Sequence, residues 1–559
     1  MRVRLDVRRG RRRTAPRTDR PQRGDRALAW TARVRGRRRL VDAGSAGAAP
    51  RSVGGQTADL ASLRRRWIAL VVLCVGQLMI VLDATVVNVA LPSIQRDLHS
   101  SQSSLAWVIN AYLISFGGLL LLAGRLGDLL GRRRLFLVGV ALFTAASMLC
   151  GLAPTQEMLT AARFLQGVGA AVMASMVLGI LVTLFDQARD TARAMSLYAF
   201  VASAGGAIGL LVGGALTEAL SWHWIFFINL PIGVATLILG ARLIPTHVGI
   251  GVRGGVDVWG AVLITAAPAL AVYTILQGGT SGWASPSTIG MGALAILLSA
   301  IFVLVESRVR HPLVPLRFFR SRNVAGATFV RALFPVGLFG SFFLGALYLQ
   351  HVLGYTPVGA GVAFLPMNLC VALFSLFLTA RLVARIGAKA TLLPGLVLVA
   401  AGLLLWSRAP VDASYIVNVL PAMMLMGIGA GLVFMPSVLL AMSGVQPGDS
   451  GLASGVANVA LQMGAAVGVA VIASVSSART GGMLAGGSSM DAALTGGYHM
   501  GFVVAAGCVV AAAVAAAVIL RDPRGRRSVV RIPDVEAAGA ERAVEAHSQS
   551  HVPVGSARG

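Results

Sequence analysis

Apolar segments long enough to cross a lipid bilayer recur along most of this sequence. A transmembrane helix needs about 20 predominantly apolar residues, and such segments follow one another with short polar loops between them. The chain has 559 residues, of which 56% are hydrophobic and 13% charged. Soluble globular domains carry about 25% charged residues. The pattern therefore predicts an all-α polytopic membrane protein.

We place fourteen transmembrane helices in the sequence. They lie at roughly 67 to 90, 105 to 124, 135 to 152, 158 to 184, 195 to 216, 224 to 243, 258 to 278, 288 to 306, 324 to 350, 358 to 380, 391 to 407, 416 to 440, 452 to 475 and 499 to 520. An even number of spans puts both chain ends on the same side of the membrane.

The distribution of Arg predicts the orientation, because cytoplasmic loops retain Lys and Arg. With the N-terminus inside, the inner loops hold most of these residues, including the run Arg132 to Arg134. The outer loops hold Arg96, Arg408 and Arg479. We therefore expect a multi-pass protein of the cytoplasmic membrane with both termini in the cytoplasm.

The first 66 residues form a basic arm that contains 20 Arg against 5 Asp and few apolar residues. Such a composition predicts disorder, as it does for the tail, residues 521 to 559. Three interpretations of the arm stay open: an orientation-setting arm near anionic lipid, an over-extended translation start, or a nucleic-acid tail. Because the charge is concentrated here, the net charge of +26 does not predict nucleic acid as a partner.

Three motifs of the first six spans reappear in order about 260 residues later. The pairs are "AGRLGDLLGRRRL" at Ala123 with "TARLVARIGAKAT" at Thr379, "LQGVGAAV" at Leu165 with "LMGIGAGL" at Leu425, and "AGGAIG" at Ala204 with "MGAAVG" at Met463. The repeat predicts a six-helix bundle at 67 to 245, two inserted spans with linkers at 246 to 322, and a second six-helix bundle at 323 to 520. Duplicated bundles are typical of transporters that work by alternating access.

One carboxylate lies inside the first span, in the stretch "IVLDATVVNVALP" from Ile80 to Pro92. A charged Asp at the centre of a membrane helix costs about 2.5 to 3.5 kcal/mol, so Asp83 should face a cavity or a partner. A carboxylate that is exposed to the two compartments in turn can carry protons and attract a cationic substrate. The alternative is a structural Asp that is hydrogen-bonded to helix backbone.

Arg163 is the other deep charge, one or two turns inside the fourth span. The repeat places Met423 at the equivalent position of the second half, so the charge is not duplicated. A buried guanidinium must be neutralised, and a proton-carrying acid is a natural partner. The alternative is an Arg that snorkels or is purely structural. Arg331, near the inner end of the ninth span, is predicted to snorkel.

Other polar residues within the spans are candidates to line a substrate cavity, although many such residues form hydrogen bonds between helices. The candidates are Asn88, Asn110, Tyr112, Gln166, Asn229, Gln350, Asn368, Asn458 and Gln462.

The loop after the second span, "GRLGDLLGRRR", resembles the signature of the major facilitator superfamily. "LDATVVNVALP" and "RFLQGVGAAV", together with the span count, resemble its fourteen-span drug:proton antiporters of the EmrB/QacA type. The resemblance implies proton coupling by Asp83 and Arg163. It also implies an inner gate whose ion pairs with neighbouring helices hold the outward-open state. That gate would consist of Gly124, Asp128, Gly131, Arg132 and Arg133.

The fifth span departs from the antiporter pattern, because "GLLVGG" has Leu210 where the family has Pro. The glycines Gly205, Gly209, Gly213 and Gly214 still allow close helix packing. The bend that the Pro would cause is therefore in question.

These features predict a secondary transporter that exports amphipathic organic compounds in exchange for protons. The absence of a phosphate-binding loop excludes ATP-driven transport by this chain, and the dispersed His residues argue against an enzyme. We expect no metal and no cofactor, with the proton gradient as energy source, and a monomer in the bilayer. The alternatives are a dedicated exporter of one endogenous metabolite or antibiotic, and a non-transporting membrane sensor or scaffold.

Overall fold

The computed structural model describes residues 53–185, 187–246, 257–309, 312–443, 445 and 450–522. All regular elements in these ranges are helices, and thirteen of them are long and apolar enough to cross a membrane. The chain is thus an all-α multi-pass membrane protein. The disorder that we predict at the two ends concerns residues 1–52 and 523–559, which lie outside the described ranges.

We number the helices α1 to α14 in the order of the predicted spans. They are α1 Val53–Asp97, α2 Gln102–Leu130, α3 Arg132–Gly151, α4 Gln156–Leu184, α5 Ala188–Ala219, α6 Trp224–Leu243, α7 Val258–Ser281, α8 Pro286–Arg308, α9 Arg322–Val352, α10 Pro357–Ile386, α11 Ala388–Trp406, α12 Tyr415–Met442, α13 Ser450–Ala485 and α14 Met490–Ile519.

Two predictions about helix ends need correction or qualification. Residues 53–66, predicted as disordered, form the first turns of α1. The segment from Gln56 to Arg66 contains mostly good helix formers and no Pro, which favours a helix. The fifth predicted span corresponds to α5, whose described apolar part, Ala204–Ala219, is shorter than the other spans. α5 runs as one continuous helix past Leu210.

The described residues from Arg66 onward belong to one compact unit. Within this unit, the two halves of the repeat turn the chain in the same way. Gly131 joins α2 to α3 with a φ of 100°, and Gly387 joins α10 to α11 with a φ of 93°. Residues with a Cβ rarely adopt these positive φ values, so each position requires glycine.

The halves also share a close helix contact. In the first half, α4 approaches α2 at Gly167, where the carbonyl oxygen of Tyr112 lies in the space that a Cβ would need. In the second half, α12 approaches α10 at Gly427 against the carbonyl oxygen of Met367. The two glycines occupy the same position of the "LQGVGAAV" and "LMGIGAGL" motifs. Equivalent residues therefore make equivalent backbone contacts.

The two halves meet at the ends of α1, α5, α9 and α10 that we expect to face outward. Gln350 Nε2 on α9 donates to the carbonyl of Val89 on α1 at 2.8 Å. The backbone N–H of Val358 on α10 donates to Glu218 Oε2 on α5 at 3.1 Å. Gly214 lies against the backbone of Val358, so α5 and α10 touch there without an intervening side chain.

The halves also meet along α2 and α13, and the inserted helix α7 packs against both. Gly455 on α13 lies against the side chain of Leu121 on α2. α7 contacts α2 where Gly118 meets Thr265, and it contacts α13 where Ser474 packs on Gly279. The inserted pair α7 and α8 is thereby attached beside one seam between the halves.

Candidate functional site

The two deep charges predicted from the sequence form a buried ion pair. Arg163 Nη1 on α4 lies 2.5 Å from Asp83 Oδ2 on α1. The side chain of Asp83 is fully buried and that of Arg163 is 2% exposed. Because each group alone would be costly in a membrane interior, the two charges stabilise each other. The first half therefore contains a carboxylate and a guanidinium in direct contact within the membrane-spanning helices.

Gln166 completes this arrangement one turn after Arg163. Its Nε2 donates to Asp83 Oδ1 at 2.7 Å, and its Oε1 accepts from Arg163 Nη1 at 2.7 Å. Both carboxylate oxygens of Asp83 are therefore occupied. The spacing of three residues on α4 puts the Arg and the Gln on the same helix face, which explains how one helix supplies both partners.

Further contacts hold the guanidinium of Arg163 from other helices. Its Nε donates to the carbonyl of Val108 on α2 at 2.9 Å. Its Cζ lies 4.4 Å from the ring centroid of Tyr112, also on α2. The ring of Phe226 is 5.8 Å away. Aromatic faces attract a guanidinium within about 6 Å, so the cation is stabilised even apart from Asp83.

Ser147 on α3 links the pair to α6. Its Oγ accepts from Gln166 Nε2 at 3.1 Å and from Asn229 Nδ2 at 3.0 Å, and donates to the carbonyl of Phe226. Asn229 Oδ1 and the Tyr112 hydroxyl are buried without a hydrogen-bond partner. Buried polar groups that lack partners are unusual, and these two mark places where a rearrangement could form new hydrogen bonds.

The second half has an apolar counterpart of this network. The aligned motifs place Met423 where the first half has Arg163, and Met426 where it has Gln166. Both methionines are fully buried. Since the second half packs equivalent helices without polar groups at these positions, folding of a half does not require the ion pair. The network is thus a candidate for function rather than for architecture.

The sequence argument left open whether Asp83 faces a cavity or a partner. In this conformation it has a partner, and its side chain has no exposed surface. The alternative of a structural Asp that bonds to helix backbone does not describe its contacts, which are to side chains of α4. In this conformation the carboxylate is therefore closed off from solvent.

The nine polar candidates for a substrate cavity do not form one group. Tyr112, Gln166 and Asn229 belong to the network around Asp83. Gln350 bonds to α1 in the contact between the halves. The remaining five lie elsewhere: Asn88 and Asn368 bond to carbonyls of their own helices, Asn110 is buried without a partner, Asn458 accepts from Arg331, and Gln462 packs against Gly117.

The charged residues of the predicted inner gate contact neighbouring helices. Asp128, in the last turn of α2, accepts from Nε and Nη2 of Arg132, at the start of α3, at 3.2 and 3.0 Å, so this ion pair joins the ends of two consecutive helices. Arg132 Nη1 donates to the carbonyl of Gly179 on α4 at 3.0 Å, and Arg133 donates to the carbonyl of Ala241 on α6. In this conformation the loop is tied to α4 and α6 through backbone carbonyl oxygens near the ends of these helices.

Gly124 of the same loop motif packs loosely near Ser175 of α4, and Gly127 lies against Met176. Three of the fifth-helix glycines contact α1. Gly205 lies against Leu78 and Val81. Gly209 lies against Thr85, and Gly213 lies against Val86. The close packing predicted from their fourfold spacing is present in the structure.

We expect Asp128→Ala to slow turnover more than it weakens substrate binding. The side chains of Arg132 and Asp128 are 35% and 40% exposed, and exposed pairs contribute about 0 to 1 kcal/mol to stability, so the variant should fold. Loss of the carboxylate frees Arg132 to stay on the Gly179 carbonyl through the transport cycle. Substrate binding and transport rate, measured on the same vesicles, test this. An equal loss of binding would contradict a gating role.

The prediction that Arg331 snorkels is wrong. It is 3% exposed and donates to the Ala457 carbonyl at 2.9 Å, Ser437 Oγ at 3.1 Å and Asn458 Oδ1 at 3.0 Å. Helices α12 and α13 supply these acceptors, which draw the guanidinium inward. A position near a span end could not reveal partners on helices more than 100 residues away.

Sequence reasoning also missed Ser147, the branch point of the network. A single Ser in an apolar span gives no signal of its own, because Ser commonly bonds to its own helix backbone. It likewise passed over Asp257 and Glu306, which are buried at one end of α7 and α8. Carboxylates that border apolar spans resemble ordinary interfacial residues.

Comparisons with known proteins agree with this architecture. The sequence model of the Major Facilitator Superfamily matches residues 73–469. The chain is 42% identical over 443 residues to the puromycin resistance protein pur8 of Streptomyces alboniger, covering 79% of this chain and 88% of that protein. It is 38% identical over 417 residues to the cephamycin export protein CmcT of Amycolatopsis lactamdurans, covering 74% and 86%. Its fold resembles the nucleoside transporter NupG with a TM-score of 0.59 and 13% identity, covering 81% of this chain and 100% of NupG.

Proposed function

Because the chain belongs to the major facilitator superfamily, we propose that it exports amphipathic organic compounds across the cytoplasmic membrane in exchange for protons. Relatives at about 40% identity are named for antibiotic resistance and antibiotic export, which supports efflux as the direction of transport. In the proposed orientation both termini are cytoplasmic. One chain contains both six-helix halves, and we propose that it works as a monomer.

The main support for proton exchange is the buried ion pair of Asp83 and Arg163, which Gln166 bridges through hydrogen bonds to both. A carboxylate that is neutralised by a cation in one conformation and released in another changes its affinity for protons between the two. The first half holds this pair, whereas the second half has methionines at the positions equivalent to Arg163 and Gln166. The proton-carrying element therefore belongs to α1 and α4.

We propose that the change between inward-open and outward-open conformations separates Asp83 from Arg163. In the described conformation the halves are joined at the expected outer ends of α1, α5, α9 and α10. Opening of this side requires loss of the Gln350–Val89 and Val358–Glu218 hydrogen bonds. We propose that protonation of Asp83 from outside loosens α1 from α4, and that substrate binding from inside accompanies release of the proton to the cytoplasm. Competition between proton and substrate is sufficient for exchange.

Inverted membrane vesicles with an acidic interior test this proposal. Substrate added outside should enter the vesicles and drive protons out, so a pH-sensitive dye in the lumen should report alkalinisation. Vesicles with Asp83→Asn protein should show no substrate-induced change, which separates the exchange from passive leakage. If no compound from a broad amphipathic panel moves protons through the wild-type protein, drug:proton antiport is wrong.

A dedicated exporter of one antibiotic or metabolite is the second candidate. The relative CmcT is named a cephamycin export protein, which favours this alternative. The same vesicle panel separates the two, because a dedicated exporter should respond to one compound class while a multidrug exporter should respond to several unrelated ones.

A further inference from the structure

Two carboxylates lie together at one end of the inserted helices, away from the Asp83 network. Asp257 immediately precedes α7, and its Oδ1 accepts from the N–H of Gly260 at 2.7 Å. Glu306 lies in the last turn of α8, and its Oε2 accepts from the N–H of Val314 at 3.2 Å. Asp257 is 7% exposed and Glu306 is 3% exposed. Each carboxylate therefore uses one oxygen to hold backbone.

The other oxygen of each carboxylate has no partner. Asp257 Oδ2 and Glu306 Oε1 are both buried without a hydrogen bond. They converge on one point: a Cβ on Gly260 would lie 2.5 Å from Asp257 Oδ2 and 3.0 Å from Glu306 Oε1. Because Gly260 has no side chain, nothing from α7 separates the two free oxygens. Both buried oxygens thus lie beside Gly260, and neither accepts a hydrogen bond.

Within the described ranges, no side chain donates a hydrogen bond to the two free oxygens. Ala261, Leu313 and Val314 pack into one apolar cluster here with side chains of α2 and α13. Besides the pair itself, the charged residues that the structure describes on α2, α8 and the segment before α9 are Arg125, Asp128, Arg308, Arg317 and Arg320, and none makes a hydrogen bond to either free oxygen. The described part of α13 is uncharged before Arg479, near its far end.

We propose that Asp257 and Glu306 bind one proton between them, forming a second proton site of this protein. The proton sits on Glu306 Oε1 and is donated to Asp257 Oδ2. One O–H then satisfies both free oxygens and leaves one negative charge where two would repel each other. In the expected orientation the site lies at the cytoplasmic ends of α7 and α8, so it exchanges protons with the cytoplasm.

The shared proton has a mechanical consequence. Through Gly260 and Val314 the two carboxylates hold the start of α7 and the segment that leads to α9. α7 in turn packs on α2 and α13. The proton therefore fastens the inserted pair to the connection between the halves, and its loss at alkaline cytoplasmic pH loosens that connection. This site is independent of Asp83 and of whether the protein transports drugs.

Infrared spectra of the full-length protein in nanodiscs test the proposal, with Asp83→Asn as the background so that the first site does not contribute. We expect the carbonyl stretch of a buried protonated carboxyl at neutral pH, and its loss in Glu306→Gln and in Asp257→Asn. Glu157→Gln, an exposed carboxylate on α4, is the matched control and should keep the signal.

Thermal unfolding against pH gives an independent readout. A proton that is bound in the folded state and released on unfolding makes stability fall as pH rises, by about tenfold in the folding equilibrium per pH unit. The fall begins where the unfolded glutamate ionises, at about pH 4.3, and ends where the folded site loses its proton. In Glu306→Gln the amide Nε2 donates to Asp257 at every pH, so this decline should disappear while the protein stays folded. A wild-type pH profile in Glu306→Gln, or a signal that survives both substitutions, would overturn the shared proton. Stabilisation by sodium or magnesium that Glu306→Gln removes would also overturn it, in favour of a metal cation.

Discussion

Asp83→Asn is expected to abolish proton-coupled efflux while leaving the protein folded in the membrane. Asparagine keeps the size of the side chain, and its Oδ1 can still accept from Arg163, but it can neither take up nor release a proton. Transport driven by a pH gradient should fall to the background of empty vesicles. Exchange of labelled substrate without a gradient should persist, because it requires the conformational change but no net proton movement.

Arg331 is the reason to expect that the Asp83→Asn protein folds. In that variant Arg163 would be a buried cation without a carboxylate, which is ordinarily costly. The second half already contains such a cation, since Arg331 is held by a carbonyl, a hydroxyl and an amide oxygen. Arg163 would keep the Val108 carbonyl, Gln166 Oε1 and the Tyr112 ring.

The control for this prediction is Asp491→Asn, an exposed acid in the first turn of α14. It should leave efflux unchanged and so exclude a general effect of lost negative charge. Unimpaired coupling in Asp83→Asn would assign proton transfer to another group. A protein that is absent from the membrane would instead mean that the neutral acceptors around Arg163 do not suffice.

The deep charges were visible in the sequence because a carboxylate or guanidinium in an apolar span has few acceptable surroundings. That constraint identified Asp83 and Arg163 and predicted that each needs a partner. It did not show that they are partners of each other, because 80 residues separate them and their helices meet only in the fold. Gln166 was noticed as polar, yet its bridging position depends on the same helix contact.

The sequence repeat predicted helix packing correctly but gave no information about polar contacts. Aligned glycines predicted equivalent helices, and Gly167 and Gly427 do make equivalent contacts. Arg331 falls outside the aligned motifs, so the alignment offered no partner for it and only its place near a span end remained. Glu306 was overlooked for the same reason: burial at a helix end follows from how α7 and α8 meet, which hydropathy along one helix does not describe.

Arg163→Met is expected to destabilise the protein more than Asp83→Asn or Asp128→Ala does. It gives the first half the residue that the second half has in Met423, but it leaves Asp83 buried with no cation beside it. Removal of one member of a buried ion pair costs about 3 to 5 kcal/mol. Efflux should be lost as well, since without the guanidinium Asp83 retains its proton in the conformation where it should release it.

The double variant Asp83→Asn with Arg163→Met separates pairing from packing. If the cost of Arg163→Met comes from the stranded carboxylate, neutralising Asp83 should recover most of it, and thermal unfolding of the four proteins should give a coupling free energy of about 2 kcal/mol or more. Transport should not recover, because the proton carrier is still missing. Additive losses would mean that the guanidinium stabilises α4 through Val108 and Tyr112 alone, and the pair would then have no energetic link through which a proton on Asp83 could act on α4.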